Sequence, residues 1–383
     1  MRPSRSPHVC WPDLARVLAS QLIVWHHLLF FGPLMVAVRP LAPDLVGWLA
    51  DDARQVVQVF LVLGGYLAAV RLLPAAGAQA GGPPASPTVP WRQWLTRAKA
   101  RFLRLAVPLW PALLLALATA WLARWCMADA DTPAAPDLRG LLANFTLTQD
   151  LLAEPALTAG LWYLAIDLQL YLGLALLAAL LAHAPAAWRR PLALAAVAAC
   201  GAGALWVWNL DPHGDIWAPY FAGSYALGVL AWWIRGLAPR SARLLATLVV
   251  AAVVLLALEH AWRSRLVVAG LTALVLAWGR DLWLPRAGLA TALQGLARIS
   301  YGLFLLHYPL SLLVNSLWWW LLGPEGLERP LLALSALLLT WALSLAGGAA
   351  LTRWVERGAP LPLGARLLPA TPRRRRTELA SAG

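Results

Sequence analysis

The chain has 383 residues, of which 61% are apolar and only 13% are charged. A soluble domain carries about 45–50% apolar and about 25% charged residues, so this composition is far from that of a water-soluble enzyme. Disorder is excluded as well, because the 23 Trp residues in an apolar background would bury themselves. The composition therefore predicts a polytopic membrane protein, in which each span needs about 20 residues.

The apolar runs form ten segments, each of which is interpreted as a membrane span. The first, residues 14–31, lacks the small-residue cleavage site of a signal peptide and is followed by further spans, so it is interpreted as a membrane helix. The other nine fall near residues 53–70, 105–125, 161–182, 191–208, 217–234, 244–259, 266–279, 296–322 and 331–351. We expect an all-α polytopic membrane protein, a bundle of about ten transmembrane helices.

The basic residues predict which side of the membrane holds the chain ends. The formal net charge is +13, from 31 Lys and Arg against 18 Asp and Glu. In a soluble protein this balance would suggest a nucleic-acid partner, but in a membrane protein it reports topology. When the loops are assigned alternately, most basic residues fall on the side of the two termini, and cytoplasmic loops are enriched in Lys and Arg. Both termini are therefore predicted to be cytoplasmic, with no nucleic-acid partner.

Two segments are predicted to lie outside the bundle. Residues 74–90 are rich in Pro, Ala, Gly and Ser and indicate a flexible cytoplasmic linker. Residues 361–383, which include Arg373–Arg376, form a basic cytoplasmic tail that is expected to be disordered. It would either bind anionic lipid or serve as a stop-transfer cluster. The three cysteines have no metal or redox spacing, so no metal site is predicted.

Polar side chains inside the spans are the candidates for chemistry, because they are costly in hydrocarbon and usually functional or paired. Asp13, Arg16, Ser20 and His27 share one stripe of the first span at about 100° per residue. His27 could be a general base for a hydroxyl or an acyl carrier, since imidazole titrates near neutral pH. In the structural alternative, Asp13 pairs with Arg16 and His27 hydrogen-bonds a neighbouring helix. The adjacent His26 points about 100° away, which favours packing or support of His27.

A basic face opens the third span. Arg97, Arg101 and Arg104 are spaced by four and three residues, which places three guanidinium groups on one side of a helix. Such a face suits bidentate contacts with phosphate. A positive flank at the cytoplasmic surface is the alternative, and it explains the charge without requiring a face.

Two later spans carry polar faces of their own. Tyr163, Asp167 and Tyr171 are spaced by four and stack on one face. A lone charge at Asp167 would be expensive, so this residue is expected to be protonated, paired with a cation or part of a site. On the ninth span, Ser300, His307, Ser311 and Asn315 also share a face. A purely structural hydrogen bond is the alternative role for His307.

These residues occur in an order that resembles the acyltransferase 3 superfamily of multispan bacterial acyltransferases. The resemblance begins with Asp13, Arg16 and His27 and continues with the arginines that precede Pro108. Four further motifs are similar to those of the family: Val59–Leu67, with Gly64 where a Ser is common; Gly160–Tyr171, with Tyr163 and Asp167 where a Ser and a Glu are common; Ile299–Leu310; and Trp354–Arg357.

The resemblance implies a membrane domain over residues 1–360 that transfers an acyl group, most often acetyl, from acyl-coenzyme A to a hydroxyl of an envelope or exported carbohydrate. It implies a bacterial inner-membrane location, membrane lipids and a glycan acceptor as partners, and acyl-coenzyme A as a co-substrate rather than a tightly bound cofactor. The catalytic residues it implies are His27, Arg16, Asp13 and Asp167, and the substrate-binding residues are Arg97, Arg101, Arg104, Trp162, Tyr163, Ser300, Tyr301 and His307.

Two other classes of protein share some of these features. A transporter or glycan flippase would also be basic on its cytoplasmic side and would carry intramembrane His, Asp and Arg along a substrate path. It would move its substrate unmodified, whereas an acyltransferase would release free coenzyme A thiol. A structural subunit of a polysaccharide-assembly complex would turn over no donor at all. Neither the acyl group, the acceptor nor the oligomeric state is readable from the sequence.

Overall fold

The computed structural model describes residues 8–32, 34–73, 90–127, 132–279, 282–283 and 287–358, which are predominantly α-helical. The helices are α1 (Trp11–Phe30), α2 (Leu34–Val38), α3 (Pro43–Asp51), α4 (Val57–Leu72), α5 (Pro90–Cys126), α6 (Leu138–Thr146), α7 (Leu161–Leu181), α8 (Ala186–Trp206), α9 (Ala218–Arg235), α10 (Arg240–His260), α11 (Ser264–Trp278), α12 (Ala287–Leu327) and α13 (Pro330–Glu356). Two short strands, β1 (His8–Val9) and β2 (Leu282–Trp283), pair antiparallel. The predicted linker and the basic tail lie outside the described residues, apart from Pro90.

Each of the ten predicted apolar segments coincides with one long helix. Seven helices in the described part of the chain, α4, α5, α7, α8, α10, α12 and α13, are long and apolar enough to cross a membrane. An eighth span results if α1 is joined to the bent segment Leu34–Leu41 that follows it. The count of ten spans remains a prediction, because α9 and the 15-residue α11 do not meet the same measure of length and hydropathy. The cytoplasmic location of both termini remains a prediction as well.

Three short helices, α2, α3 and α6, lie in connections for which no element was predicted. The start of α6 has an ordinary cause, since the Asp137 carboxylate accepts a hydrogen bond from the Gly140 backbone N–H at 2.7 Å and so satisfies one of the free donors of the first turn. A proline in the first turn similarly opens α3. These three helices belong to the connections between the long helices, and each is too short to span a membrane.

Glycine allows two pairs of long helices to pack backbone against backbone. A β carbon at Gly228 of α9 would lie 1.9 Å from the Val62 carbonyl oxygen of α4. A β carbon at Gly302 of α12 would lie 2.6 Å from the Gly348 carbonyl oxygen of α13. Small residues at helix crossings permit this close approach in membranes, where packing replaces the hydrophobic effect as the cause of helix association.

The largest apolar cluster contains residues of α1 and of four other long helices, α5, α7, α12 and α13. Leu28 of α1, Leu109 of α5, Leu164 of α7, Leu303 of α12 and Leu337 of α13 are each at most 2% exposed and belong to this cluster. Their packing fixes the relative positions of α1, α7 and α12. Those are the helices that carry most of the polar residues singled out in the sequence.

Candidate functional site

Two buried histidines join α1 to α12. His27 Nδ1 and His307 Nε2 are 2.8 Å apart, although the residues are 280 positions apart in the chain. The two rings stack with a centroid distance of 4.9 Å and an interplanar angle of 16°. His27 is 9% exposed and His307 is fully buried. This pair is the centre of the candidate site.

The hydrogen bonds define which nitrogen of each ring carries the proton. His307 Nδ1 lies 2.5 Å from the Phe304 carbonyl oxygen, and a carbonyl oxygen only accepts, so His307 Nδ1 must donate. In the neutral ring, His307 Nε2 is then the acceptor, and His27 Nδ1 donates to it. The remaining nitrogen, His27 Nε2, therefore holds a free lone pair. A neutral imidazole with a fixed tautomer and an available Nε2 is the form that a general base requires.

Gly160, at the start of α7, lies beside His27. Its φ of +78° belongs to the left-handed region, which favours glycine. A β carbon at this position would lie 2.4 Å from Phe304 Cζ and 3.5 Å from His27 Cε1. Glycine therefore lets the N-terminus of a 21-residue helix approach the imidazole, and a helix N-terminus carries partial positive charge.

The structure contains both contacts of the structural alternative, the bond from His27 to a neighbouring helix and the pair of Asp13 with Arg16. Arg16 Nη1 donates to Asp13 Oδ1 at 3.1 Å, with about a third of each side chain exposed. The Ser20 hydroxyl donates to the Val17 carbonyl oxygen of its own helix at 2.9 Å. The side chains of Asp13, Arg16 and Ser20 thus bond within α1. Among these four described residues, His27 alone bonds a side chain of another helix.

The adjacent His26 has a supporting role in packing. Its Nδ1 donates to the Leu49 carbonyl oxygen of α3 at 3.0 Å, and the residue is 5% exposed. Its ring centroid is 5.2 Å from that of His27. His26 therefore holds α3 against α1. This agrees with the packing role that its direction on the helix had indicated.

A buried ion pair forms a second polar centre between α5 and α7. Arg101 Nη2 donates to Asp167 Oδ2, and the two side chains are 19% and 3% exposed. The guanidinium also lies over the Tyr171 ring, 5.1 Å from its centroid, a cation–π arrangement. Of the three states predicted for Asp167, the structure shows pairing with a cation. Arg101 is accordingly committed to Asp167, which separates it from the predicted phosphate-binding face.

Gly64 makes room for this carboxylate. A β carbon at position 64 would lie 2.8 Å from Asp167 Oδ1 and 3.3 Å from Tyr225 Cε2. Two of the three departures from the family motifs, Gly64 and Asp167, are thus neighbours in space. Tyr225 of α9 completes the surroundings of the pair, and no sequence motif had indicated it.

Arg97 and Arg104 remain partly accessible on α5. Arg71, at the end of α4, is close enough to Arg104 to interact with it electrostatically. No sequence feature indicated that Arg71 belongs to this surface, because its proximity to Arg104 depends on how α4 and α5 pack. The basic surface that can face a phosphate therefore contains Arg71, Arg97 and Arg104.

A comparison of the sequence with family models finds a match over residues 10–348 to the model described as an acyltransferase domain. The chain belongs to the acyltransferase 3 family. It is a multi-pass membrane protein and an O-acyltransferase. Comparisons with curated proteins and with solved structures gave no match.

Three other predicted substrate-binding residues of the acyltransferase make contacts within the protein. The Ser300 hydroxyl donates to the Ala297 carbonyl oxygen at 2.9 Å, and the Tyr301 hydroxyl donates to the Leu105 carbonyl oxygen at 2.9 Å. Trp162 packs on Phe221, with ring centroids 5.4 Å apart. The Tyr301 bond therefore joins α12 to α5, whereas the Ser300 bond lies within α12. The contact of both residues with substrate stays a prediction.

Tyr163 lies between the two polar centres. Its ring is 5.8 Å from that of Phe60 and 6.2 Å from that of Phe304, centroid to centroid. It lies one turn of α7 before Asp167 and three residues after Gly160. Tyr163 thus connects the surroundings of the ion pair to those of the histidine pair. Within the described ranges, no group of three or more His, Cys, Asp or Glu residues could hold a metal ion.

Breaking the buried ion pair should destabilise the acyltransferase strongly. Asp167→Asn leaves the Arg101 guanidinium buried without its counter-charge, and we expect a loss of about 3–5 kcal/mol in the free energy of unfolding. Asp13→Asn is the matched control, because the partly exposed pair of Asp13 with Arg16 contributes about 1 kcal/mol or less. Unfolding in detergent followed by circular dichroism measures both. Equal losses in the two variants would contradict the assignment of Asp167 as a buried structural partner.

Proposed function

We propose that this acyltransferase moves an acyl group, in the first instance acetyl, from acyl-coenzyme A to a hydroxyl of a cell-envelope or exported carbohydrate at the bacterial inner membrane. The observation that carries the proposal is the relay from the Phe304 carbonyl through His307 to His27. This relay leaves His27 Nε2 as a base in an apolar interior, which is what activation of an alcohol requires.

The reaction balances with His27 as the only proton carrier. His27 Nε2 takes the proton of the acceptor hydroxyl while the oxygen attacks the thioester carbon. The carbon–sulfur bond then breaks, and His27 returns the proton to the departing thiolate. During attack, negative charge develops on the thioester oxygen, and the N-terminus of α7 at Gly160 supplies nearby positive potential. The same nitrogen would carry the acyl group if the reaction ran in two steps.

The donor is placed by the basic surface on α5 and α4. Arg71, Arg97 and Arg104 suit the phosphates of a coenzyme A thioester, because guanidinium groups bind phosphate through paired N–H donors. Tyr301 bonds the carbonyl of Leu105, the residue after Arg104, so that level of α12 lies next to the basic surface. His307 is six residues further along α12, a rise of about 9 Å. A thioester bound by its phosphates would thus extend into the interior toward His27.

Thiol release distinguishes the enzyme from a transporter. Detergent-purified protein is incubated with acetyl-coenzyme A and an envelope-glycan extract, and free thiol is measured with and without the extract. We expect release that depends on the extract, since a transporter would leave the thioester intact. Absence of release from folded protein with acetyl, succinyl and longer acyl donors would contradict the proposed function.

A further inference from the structure

A cavity with an apolar lining lies between α9, α10 and α11, on a side of the bundle that takes no part in the histidine pair. Its volume is about 240 Å³, whereas a dry cavity of about 150 Å³ already holds a benzene ring. All its lining residues except Thr247 and Gly270 are Ala, Val, Leu or Ile, and none belongs to α1, α7 or α12. The cavity therefore suits an apolar ligand and is separate from the candidate site.

The length of this cavity matches one leaflet of a bilayer. Its lining runs from Thr247 to Leu258 on α10 and from Val267 to Ala277 on α11. These segments rise about 16 Å and about 15 Å along their helices. The hydrocarbon core of a bilayer is about 30 Å thick, so one leaflet contributes about 15 Å. A hydrocarbon chain of a single leaflet therefore has the length to fill the cavity.

The cavity is open to the surroundings of the bundle. Leu255, Leu271 and Leu274 line it, yet they are 63%, 58% and 46% exposed. The buried residues of α10 all lie between Val254 and Leu258, so its first half, residues 240–253, packs loosely against the rest of the bundle. Because α10 is long and apolar enough to cross a membrane, lipid has direct access to the cavity.

Three arginines, Arg235, Arg240 and Arg243, surround one end of the cavity. Arg235 follows the lining residue Ile234, and Arg243 lies one turn before the lining residue Thr247. Arg235 and Arg240 are both close enough to Arg243 to repel it electrostatically. In the part of the chain that the structure describes, no Asp or Glu forms an ion pair with any of the three. This end of the cavity therefore favours an anion from outside the protein.

Two of these arginines are held in position and keep donors for a ligand. Arg243 Nη2 donates to the Ala277 carbonyl oxygen, and the guanidinium lies over the Trp278 ring, 4.4 Å from its centroid. Arg235 Nη1 donates to the Gly279 carbonyl oxygen at 2.7 Å. Arg243 Nε is buried and has no hydrogen-bond partner among the described residues, which costs about 1–3 kcal/mol unless a ligand accepts from it. Capping of α11 thus uses only part of the five N–H donors of each guanidinium.

We propose that the cavity and the three arginines form a binding site for one anionic phospholipid. Its phosphate binds Arg235, Arg240 and Arg243, and one of its acyl chains lies in the cavity. Guanidinium groups bind phosphate through paired N–H donors, and basic pockets between membrane helices suit anionic headgroups. The lipid joins the loosely packed half of α10 to α9 and α11, so its binding stabilises the folded protein.

The position of the charges favours an anionic lipid over other phosphate compounds. The apolar lining begins at Ile234 and Thr247, directly beside the arginines, so a phosphate bound there is continuous with hydrocarbon. A headgroup that carries its own cation would be repelled by three unpaired guanidinium groups. The inference does not depend on the proposed function, since none of these residues belongs to the histidine pair or to the basic surface on α4 and α5.

The test follows the thermal unfolding of delipidated, detergent-purified protein as lipid is added. Phosphatidylglycerol is compared with phosphatidylcholine of the same acyl chains, and with glycerol 3-phosphate as a soluble phosphate. Arg240→Gln removes an exposed charge of the site. Arg189→Gln is its matched control, because Arg189 of α8 is partly exposed and donates to backbone carbonyls outside the site. Ala251→Phe places a ring in the cavity, whereas the equally exposed Ala252, the next residue of α10, does not line it, so Ala252→Phe is the second control.

We expect phosphatidylglycerol to raise the unfolding temperature of the wild type more than phosphatidylcholine does. Arg240→Gln should raise the apparent Kd for phosphatidylglycerol about fivefold, which corresponds to about 1 kcal/mol for one arginine at an anionic lipid. Ala251→Phe should raise it at least as much, and both controls should match the wild type. Equal stabilisation by the two lipids, or an equal effect of a variant and its control, would overturn the inference. Stabilisation by glycerol 3-phosphate that Arg240→Gln removes would overturn it too, because the ligand would then be a soluble phosphate.

Discussion

His27→Ala should abolish acyl transfer while the protein still folds. General-base catalysis contributes about 10²–10⁴ to the rate, and no other described imidazole is positioned to replace His27 Nε2 in the pair with His307. We therefore expect kcat for glycan-dependent thiol release to fall by about a thousandfold. Release is followed with acetyl-coenzyme A and purified protein, and circular dichroism confirms the helical content.

His26→Asn is the control for that experiment. His26 is the neighbouring buried histidine, and the asparagine amide can still donate to the Leu49 carbonyl that His26 Nδ1 contacts. We expect this variant to keep most of the wild-type rate, since His26 bonds only backbone. Retained transfer in His27→Ala, or an equal loss in both variants, would show that His27 is a packing residue.

His307→Leu should lower kcat by about a hundredfold without changing the KM for the donor. Its ring accepts from His27 Nδ1 and so determines that His27 Nε2 is the free nitrogen; loss of a residue that orients a catalytic histidine reduces turnover rather than binding. His307 is thus a positioning residue, whereas the sequence had suggested contact with substrate. Steady-state kinetics at several donor concentrations separate the two roles.

His307→Gln provides the rescue. The glutamine side-chain oxygen can accept from His27 Nδ1 as His307 Nε2 does, so this variant should recover a substantial part of the rate lost in His307→Leu. A structural role would respond differently, because both variants disturb the stacking of the rings to a similar degree. Equal activity in Gln and Leu variants would therefore contradict the relay.

The helices were predictable from sequence, and the contacts between them were not. Each apolar run became a helix because hydropathy and length operate locally. Periodicity also placed His27 and His307 on polar faces, but it cannot say that those faces meet, since the pairing depends on how α1 and α12 pack. The sequence therefore indicated His27 as a general base. The tautomer that leaves its Nε2 free could be assigned only from the hydrogen bond between His307 and the Phe304 carbonyl.

The second polar centre shows the same limit. The cost of a lone charge predicted that Asp167 would have a partner, and Arg101 carried the opposite charge, but the face shared with Arg97 and Arg104 pointed to phosphate instead. In the sequence, Gly64 indicated only that a common serine was absent. The structure shows that a β carbon at Gly64 would lie close to Asp167 Oδ1, so the glycine makes room for the carboxylate. The apolar pattern also gave no indication of α2, α3 and α6, since short helices in connections leave little periodic signal.

The separation of 280 residues between the two histidines determines when the protein becomes an enzyme during its synthesis. Chains are made at about 5–20 residues per second, so α1 waits about 14–56 s in its surroundings before the segment that carries His307 is translated. During that interval His27 has no access to its final partner, so the proposed mechanism provides no oriented base. We therefore expect a nascent or truncated chain that lacks α12 to consume no acyl donor, and activity to begin only after the last helices pack against the first.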